Sequence, residues 1–509
     1  MPAIVLATLN ARHAHASLGL RCLRANLGEL RDEAEILEFV VGSRAEEVVE
    51  RILALRPRIV GLGVYIWNVE ETTRVVGLLK TVAPEVTVVV GGPEVSHEVE
   101  AQPICRAADY VVTGWGDVTF AGLARQVLRG PRPPAKLHAG AQPPLATIAL
   151  PYEEFTDEDL RHRNVYVEAS RGCPFRCEFC LSALDRTAWP FPLEPLLAQL
   201  QRLHARGARQ FKFVDRTFNL KVETSLAILR FFLDRIDADP ADPPFAHFEL
   251  IPDHLPGRLK DAIARFPPRT LQLEIGIQTF NEEVQRLISR RQDNAAAEAN
   301  LRWLREHSNA HLHVDLIAGL PGEDMASLAR GFDRLVALRP HEIQFGILKR
   351  LRGAPIARHA EAFGLRFNPQ PPYNVLATDR IDFPTMQRLA RFARYWDLVA
   401  NSGRFVRSLP LLLGDSPFAR FLAFADALYA ATGTTQAIAV ERLYEHLHAH
   451  LLGRGVAPEQ ATETLVDDYL ASGARGRLGF VDIEPLLRRR RGSEAPAAGR
   501  QRQQRHLRA

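Results

Sequence analysis

Residues 164–180 read Asn-Val-Tyr-Val-Glu-Ala-Ser-Arg-Gly-Cys-Pro-Phe-Arg-Cys-Glu-Phe-Cys. The first six residues, 164–169, form a β-branched and aromatic run of strand length. The run ends in a loop carrying Cys173, Cys177 and Cys180 in the spacing C-x3-C-x2-C. Strand patterns recur downstream at 210–214, 245–250, 271–277, 311–317 and 342–347. Helical periodicity follows each of the first five strands, for example over 193–205, 223–235 and 326–338. Six βα repeats of this kind predict a partial, TIM-like (β/α)6 barrel over 165–368. Reactive residues then belong at the C-terminal ends of its strands.

Upstream, the same alternation fills residues 1–130. Apolar strand runs at 3–9, 36–41, 59–66, 86–90 and 110–113 are separated by amphipathic helices at 18–27, 45–55, 69–81 and 119–128. Near-continuous apolar strands between helices mean a parallel sheet covered on both faces. Five of them predict a flavodoxin-like (Rossmann-like) domain. Residues 131–164, with Pro-Arg-Pro-Pro-Ala-Lys, Ala-Gln-Pro-Pro and an acidic run, read as a linker. Helical periodicity takes over at 385–399, 418–431, 435–452 and 458–471. This predicts a helical domain of its own over 369–490, with a disordered basic tail at 491–509.

The chain has 509 residues and is 46% hydrophobic and 24% charged, which suits a globular protein of several domains. No apolar run reaches the roughly 18–20 residues of a membrane span. The start, Met-Pro-Ala-Ile-Val-Leu, has no basic segment before its apolar run, so no signal peptide is expected and the cytoplasm is the expected compartment. Net charge is +4. Eight Arg and one Glu in residues 488–509 give +7, leaving −3 for the other residues, so no nucleic-acid partner is expected. Five Cys, an odd and sparse count, argue against a disulfide framework.

Three of those five Cys sit within eight residues. Thiolates suit iron–sulfur clusters and zinc alike. Structural zinc needs a fourth protein ligand, such as a distant His, whereas a cluster can leave one iron open to a small chelator. Three reduced structural thiols are the blandest alternative. The spacing favours the cluster.

The stretch resembles the signature of the radical S-adenosylmethionine (SAM) superfamily, including an aromatic residue, Phe179, before the last Cys. The resemblance implies a [4Fe-4S] cluster on Cys173, Cys177 and Cys180. It also implies SAM chelated to the open iron and cleaved by one electron to a 5′-deoxyadenosyl radical. Phe179 would lie near the adenine. Asp215, ending the second strand, would meet the amino group of SAM, and Arg290 its carboxylate. Asp315, Ile317 and Gly319 match a strand end where backbone approaches adenine. Glu274 and Gln278 alternate on one face of an otherwise apolar strand, and buried polar groups need partners that a cofactor and substrate cavity supplies.

The strand ends of the first domain carry His13, His15, Tyr65, Trp67, Asn68, Gly91, Gly92, Gly114 and Gly116, where a doubly wound sheet binds ligands. This set resembles the cobalamin-binding domain fused ahead of many radical SAM proteins. The Asp-x-His-x-x-Gly pattern of cobalt ligation is absent. Cobalamin is therefore expected without its nucleotide base and without a protein His on cobalt. The region after the sixth strand resembles an uncharacterised domain of one cobalamin-dependent subfamily.

These resemblances imply an oxygen-sensitive cobalamin-dependent radical SAM enzyme. The most economical reaction is methylation of an unactivated carbon in a small-molecule or natural-product-like substrate, fed by a reductant such as ferredoxin or flavodoxin. The alternatives are a non-methylating cyclisation, rearrangement or oxidation, and a non-catalytic cobalamin or cluster sensor. Methylthio transfer to tRNA would need more Cys than Cys22 and Cys105 supply. Substrate, catalytic residues and oligomeric state are not legible.

Overall fold

Seven consecutive buried residues make the first strand, β1 (Ile4–Asn10). Such a run is stable only where helices cover both faces of a sheet. β1 pairs in parallel with β2 (Ala34–Val40) on one side and β3 (Ile59–Gly63) on the other. β4 (Thr87–Gly91), β5 (Tyr110–Thr113) and β6 (Leu137–Ala139) extend the sheet in the order β2-β1-β3-β4-β5-β6. The computed structural model describes residues 1–483, which divide into two units. The first is Met1–Phe248 with Lys349–Ala357 and Asn368–Asn374, and the second holds the other described residues.

The period-2 alternation of β1 decides which residues pack on which face. Val5, Ala7 and Leu9 join Val60, Leu62, Val88 and Val90 beneath the helices Ala45–Ala54, Val69–Val82 and Pro103–Ala107. Ile4 and Leu6 join Ile59, Val89 and Val112 beneath Leu18–Ala25 and Asp117–Arg129. The strand order reverses between β1 and β3, so the carboxyl ends there open a crevice.

Three local findings refine the sequence reading. The strand expected over 59–66 ends at Gly63, because Val64 N–H bonds to Gly91 O (2.8 Å) and Asn68 holds the turn that follows. Its amide donates to Leu9 O (3.0 Å) and its Oδ1 accepts from Tyr65 N–H (2.8 Å). The expected linker is ordered: it supplies β6 and the helix Asp157–His162, which starts in a Thr156/Asp159 capping box. Buried Glu38 explains the order, pairing with Arg21 (2.8 Å) and Arg163 (2.7 Å), while Arg21 also pairs with Asp159 (2.8 Å).

All six strands expected of the barrel form. In the first unit these are β7 (Val165–Val167), β10 (Gln210–Phe213) and the start of β11 (Phe245–Leu250), parallel in that order. Between β7 and β10, a two-residue antiparallel pair, β8 (Ser170–Arg171) and β9 (Trp189–Pro190), closes the loop bearing the Cys triad. In the second unit, β12 (Leu271–Gln278), β13 (His311–Ala318) and β14 (Glu342–Ile347) are parallel in chain order.

The C-terminal helices share a core with the last barrel helix, where the sequence suggested a separate domain. Phe332, on helix Met325–Ala337, packs edge-on against Phe392, Trp396 and Phe418 of helices Phe383–Leu398 and Pro417–Thr432. The Asn401 amide binds Ile343 N–H (3.0 Å) and C=O (2.9 Å), capping the free edge of β14. The helix expected from 435 begins at Val440, because Gly433 in left-handed conformation caps its predecessor. No helix among the described residues is long and apolar enough to cross a membrane. The expected tail, 491–509, and the end of the helical region lie outside the described residues.

Candidate functional site

The crevice at the carboxyl ends of β3, β4 and β5 is a cavity of about 460 Å³. Gly91, Gly92, Gly114 and Gly116 rim it, Tyr65 enters it, and Leu20, Leu62 and Phe120 give it an apolar wall. Gly92 is required there: its φ is +116°, and a Cβ would stand 2.5 Å from Val64 O. Trp67 stacks on Tyr65, with centroids 4.5 Å apart, but does not line the cavity. Neither does Asn68, whose side chain is spent on the β3 turn. His13 is exposed. His15 contacts the Tyr166 hydroxyl and bridges to Asn164, also away from the cavity lining.

The opposite wall is the start of the Cys loop. Glu168, Arg171 and Gly172 line the same cavity, directly before Cys173. Arg171 donates to both oxygens of Asp117 (2.7 and 3.1 Å) and to Glu168 (2.9 Å). Its guanidinium lies over the rings of Trp115 (4.9 Å) and Phe191 (5.4 Å) and within 4.0 Å of Cys22 Sγ. Burial pushes the Glu168 carboxyl up to about 7 against the pull of Arg171, and raises the Cys22 thiol well above its ordinary value.

Within the loop, Gly172 has φ +84°, and a Cβ would meet Thr187 O at 2.3 Å. Cys180 N–H closes a tight turn onto Cys177 O (3.0 Å). Cys173 and Cys177 are buried, and Cys180 and Phe179 are half-buried. Burial pushes the Cys173 thiol up to about 11, and binding of a metal to its sulfur would displace the proton. Asp215, expected at the amino group of SAM, accepts from Ala169 N–H (3.0 Å) and Ser170 Oγ (2.5 Å), fixing the backbone that enters the loop. Burial raises its carboxyl to about 6.

In the second unit, Glu274 faces His313, and Gly276 faces Asp315, across the β12–β13 register. Gln278 follows a register shift, has φ +67° and folds back over Gly276. Arg290 donates to Gly276 O and Gln292 Oε1. Ile317 lies opposite Gly346 on β14. Gly319 is accounted for by packing: a Cβ would strike Val375 Cγ1 at 2.4 Å.

Three family matches cover most of the described chain: "B12 binding domain" over residues 4–124, "Radical SAM superfamily" over 167–335 and "Protein of unknown function (DUF4080)" over 361–481. The chain carries a B12-binding domain followed by a radical SAM domain. This radical SAM protein is 26% identical over 235 residues to an uncharacterized methyltransferase of Pyrococcus horikoshii, covering 42% of this chain and 51% of that protein. It is 24% identical over 384 residues to the cobalamin-dependent radical SAM methyltransferase TokK of Streptomyces tokunonensis, covering 67% and 53%. The chain thus spans about half the length of these curated relatives. The cobalamin-dependent SAM radical enzyme OxsB, solved with aqua-cobalamin, shares the fold with a TM-score of 0.60, at 13% identity over 100% of this chain and 83% of that one.

The residues present fit the groups that these families are named for. A glycine-rimmed, apolar cavity admits a large flat ligand against the backbone, and open space at Gly114 faces it. Among the described residues, no three His, Cys, Asp or Glu side chains close on a single metal ion. A cluster does not require that closeness, since each thiolate takes a separate iron. The sequence reading missed the roles of Arg171, Glu168 and Cys22. The available signal was an Arg directly before Gly-Cys together with an acidic residue, Asp117, opening a helix after Gly-Trp-Gly.

Proposed function

We propose that the protein is a cobalamin-dependent radical SAM enzyme that methylates an unactivated carbon of a small-molecule substrate. One observation carries the reading. The Cys loop and the glycine-rimmed cavity share a wall, with Arg171 and Gly172 contributing to both. In this reading Cys173, Cys177 and Cys180 hold a [4Fe-4S] cluster, and Tyr65, Gly91, Gly92, Gly114 and Gly116 receive cobalamin. When bound, the cluster would supply the electron for reductive cleavage of SAM, and cobalamin would supply the methyl group.

The chain's own part is positional. Asp215 fixes the entry to the Cys loop, and Gly172 gives the turn that presents Cys173. Arg171, neutralised by Asp117 and Glu168, joins the loop to the cavity without leaving a bare charge in an apolar wall. Phe179, Glu274, Gln278, Arg290, Asp315, Ile317 and Gly319 are assigned to SAM on the resemblance of their sequence motifs to the radical SAM superfamily. Among the described residues no His lines the cavity, and cobalamin is assigned there without a protein imidazole on cobalt. The electron is assigned to a small reductant such as ferredoxin or flavodoxin.

The test is anaerobic reconstitution with iron, sulfide and cobalamin, followed by SAM and a strong reductant, assaying 5′-deoxyadenosine and S-adenosylhomocysteine together. Both products are expected, with 5′-deoxyadenosine lost in Cys177→Ala. 5′-Deoxyadenosine alone would replace methylation by other radical chemistry. Neither product from a loaded cluster would overturn the enzyme reading.

A further inference from the structure

The turn that follows β4 is held by residues more than 250 positions away. Glu94 follows Gly91-Gly92-Pro93 and is only 4% exposed. Its Oε1 accepts from the Tyr373 hydroxyl (2.6 Å) and from Arg352 Nε (2.9 Å). Arg352 also donates to Tyr373 (3.0 Å) and to Glu98 (2.8 Å), and Arg350 adds a second bond to Glu98 (2.6 Å). Gly353 (φ +82°) packs so closely on His97 that a Cβ would stand 2.3 Å from the ring. The two stretches that supply these groups, Lys349–Ala357 and Asn368–Asn374, are tied to each other by the Lys349–Asn374 bridge and by Arg350 N–H to Tyr373 O (2.9 Å).

The grip reaches both cofactor loops. Ser96 Oγ donates to Gly92 O (2.8 Å) and accepts from Gly114 N–H (3.0 Å), so the segment held by Arg352 and Tyr373 links two of the glycines that rim the cavity. At its other end, Ile356 N–H donates to Glu178 O (2.9 Å), inside the Cys loop between Cys177 and Phe179. Arg350 and Arg352 fall between the radical SAM match, which ends at 335, and the DUF4080 match, which begins at 361.

We propose that residues 349–357 and 368–374 form a strap that completes the cobalamin site, with Arg352 and Tyr373 as positioning residues that act through Glu94. This rests on the cobalamin reading above. Gly91, Gly92 and Pro93 form the cavity wall, and a positive-φ glycine has no side chain of its own to fix that wall. A buried carboxylate that binds a guanidinium and a phenol fixes it instead.

The experiment uses the full chain, reconstituted with its cluster and loaded with hydroxocobalamin. It follows loss of cobalamin into excess buffer by absorbance, and amide hydrogen exchange over 91–98 in cobalamin-free protein. Arg352→Gln is expected to release cobalamin on the order of 10–100-fold faster, the range seen when groups behind a ligand contact are removed. Tyr373→Phe is expected to be intermediate, and Arg352→Lys to recover part of the loss. Exchange over 91–98 should rise in step, with iron content unchanged. If Arg352→Gln does not fold, Tyr373→Phe decides, since it removes one hydroxyl. Wild-type release rates and exchange in Tyr373→Phe and Arg352→Lys would overturn the strap. A wild-type chain that takes up no cobalamin would overturn the cobalamin reading and the strap with it.

Discussion

Arg171→Met is the most informative single change, because it keeps an unbranched apolar stem and removes one charge from a wall shared by two sites. Arg171 keeps 11% of its side chain exposed, Asp117 keeps 5% and Glu168 keeps 19%. Three charge-assisted hydrogen bonds and two ring contacts disappear together. Removing one partner of a buried ion pair costs about 3–5 kcal/mol, most of it from the carboxylates left behind. For a body of this size about 1 kcal/mol moves the melting midpoint by about 2–4 °C, so a fall of about 6–20 °C is expected. The loss should depend on pH in a definite direction. Without Arg171, Glu168 can escape the penalty by taking up a proton, so its folded-state pKa, already raised by burial, rises further. A group with a raised folded pKa stabilises at low pH and loses that contribution as pH climbs through its folded value. The deficit of Arg171→Met against wild type should therefore be smaller at pH 6 than at pH 8. Thermal unfolding of the anaerobic protein, followed by circular dichroism at both pH values, measures it. A fall under about 2 °C with no pH dependence would refute the idea that Arg171 is the tie between loop and cavity.

Other changes test neighbouring parts. Gly172→Ala places a Cβ against Thr187 O in a positive-φ position, so the Cys loop must shift. Iron and sulfide per chain after reconstitution should fall severalfold. Glu323, buried and bound to Thr279 (2.8 Å) and Ser327 (3.2 Å), has its carboxyl pushed up to about 7 by burial. Its stabilising contribution is present below the ordinary pKa of 4.5 and is lost as pH rises through about 7. Glu323→Gln should therefore gain stability relative to wild type on going from pH 5.5 to pH 8, read as the difference in melting midpoint. Asn401→Leu removes both hydrogen bonds to Ile343 and leaves its N–H and C=O buried, at a cost of about 2–4 kcal/mol in denaturant unfolding.

Much of the architecture could be read from periodicity because its strands are buried on both faces. Ile4–Asn10, buried at every position, is a run whose only stable home is between helix layers. The ordered residues 137–162 were not legible. Leu137–Ala139 is short and largely exposed, and the following helix is held by Glu38 and Arg21, which are distant in sequence. Among site residues, the Cys triad carries its chemistry in local spacing. The glycines at 91, 92, 114 and 116 are visible as strand ends. His13, His15, Trp67 and Asn68 share those strand ends, yet they do not line the cavity, because side-chain direction in a turn follows its hydrogen bonds rather than its position in the chain. The Arg352–Glu94–Tyr373 grip spans 279 positions and leaves no mark in any local window.

The most direct test is low-temperature electron paramagnetic resonance of the anaerobically reduced, reconstituted protein before and after SAM is added. A [4Fe-4S]⁺ signal whose line shape changes with SAM, beside a cob(II)alamin signal without nitrogen superhyperfine splitting, is the expected result, with the cluster signal absent from Cys177→Ala. A cluster signal unmoved by SAM, or one that persists in Cys177→Ala, would contradict the assignment of the open iron and its three thiolates.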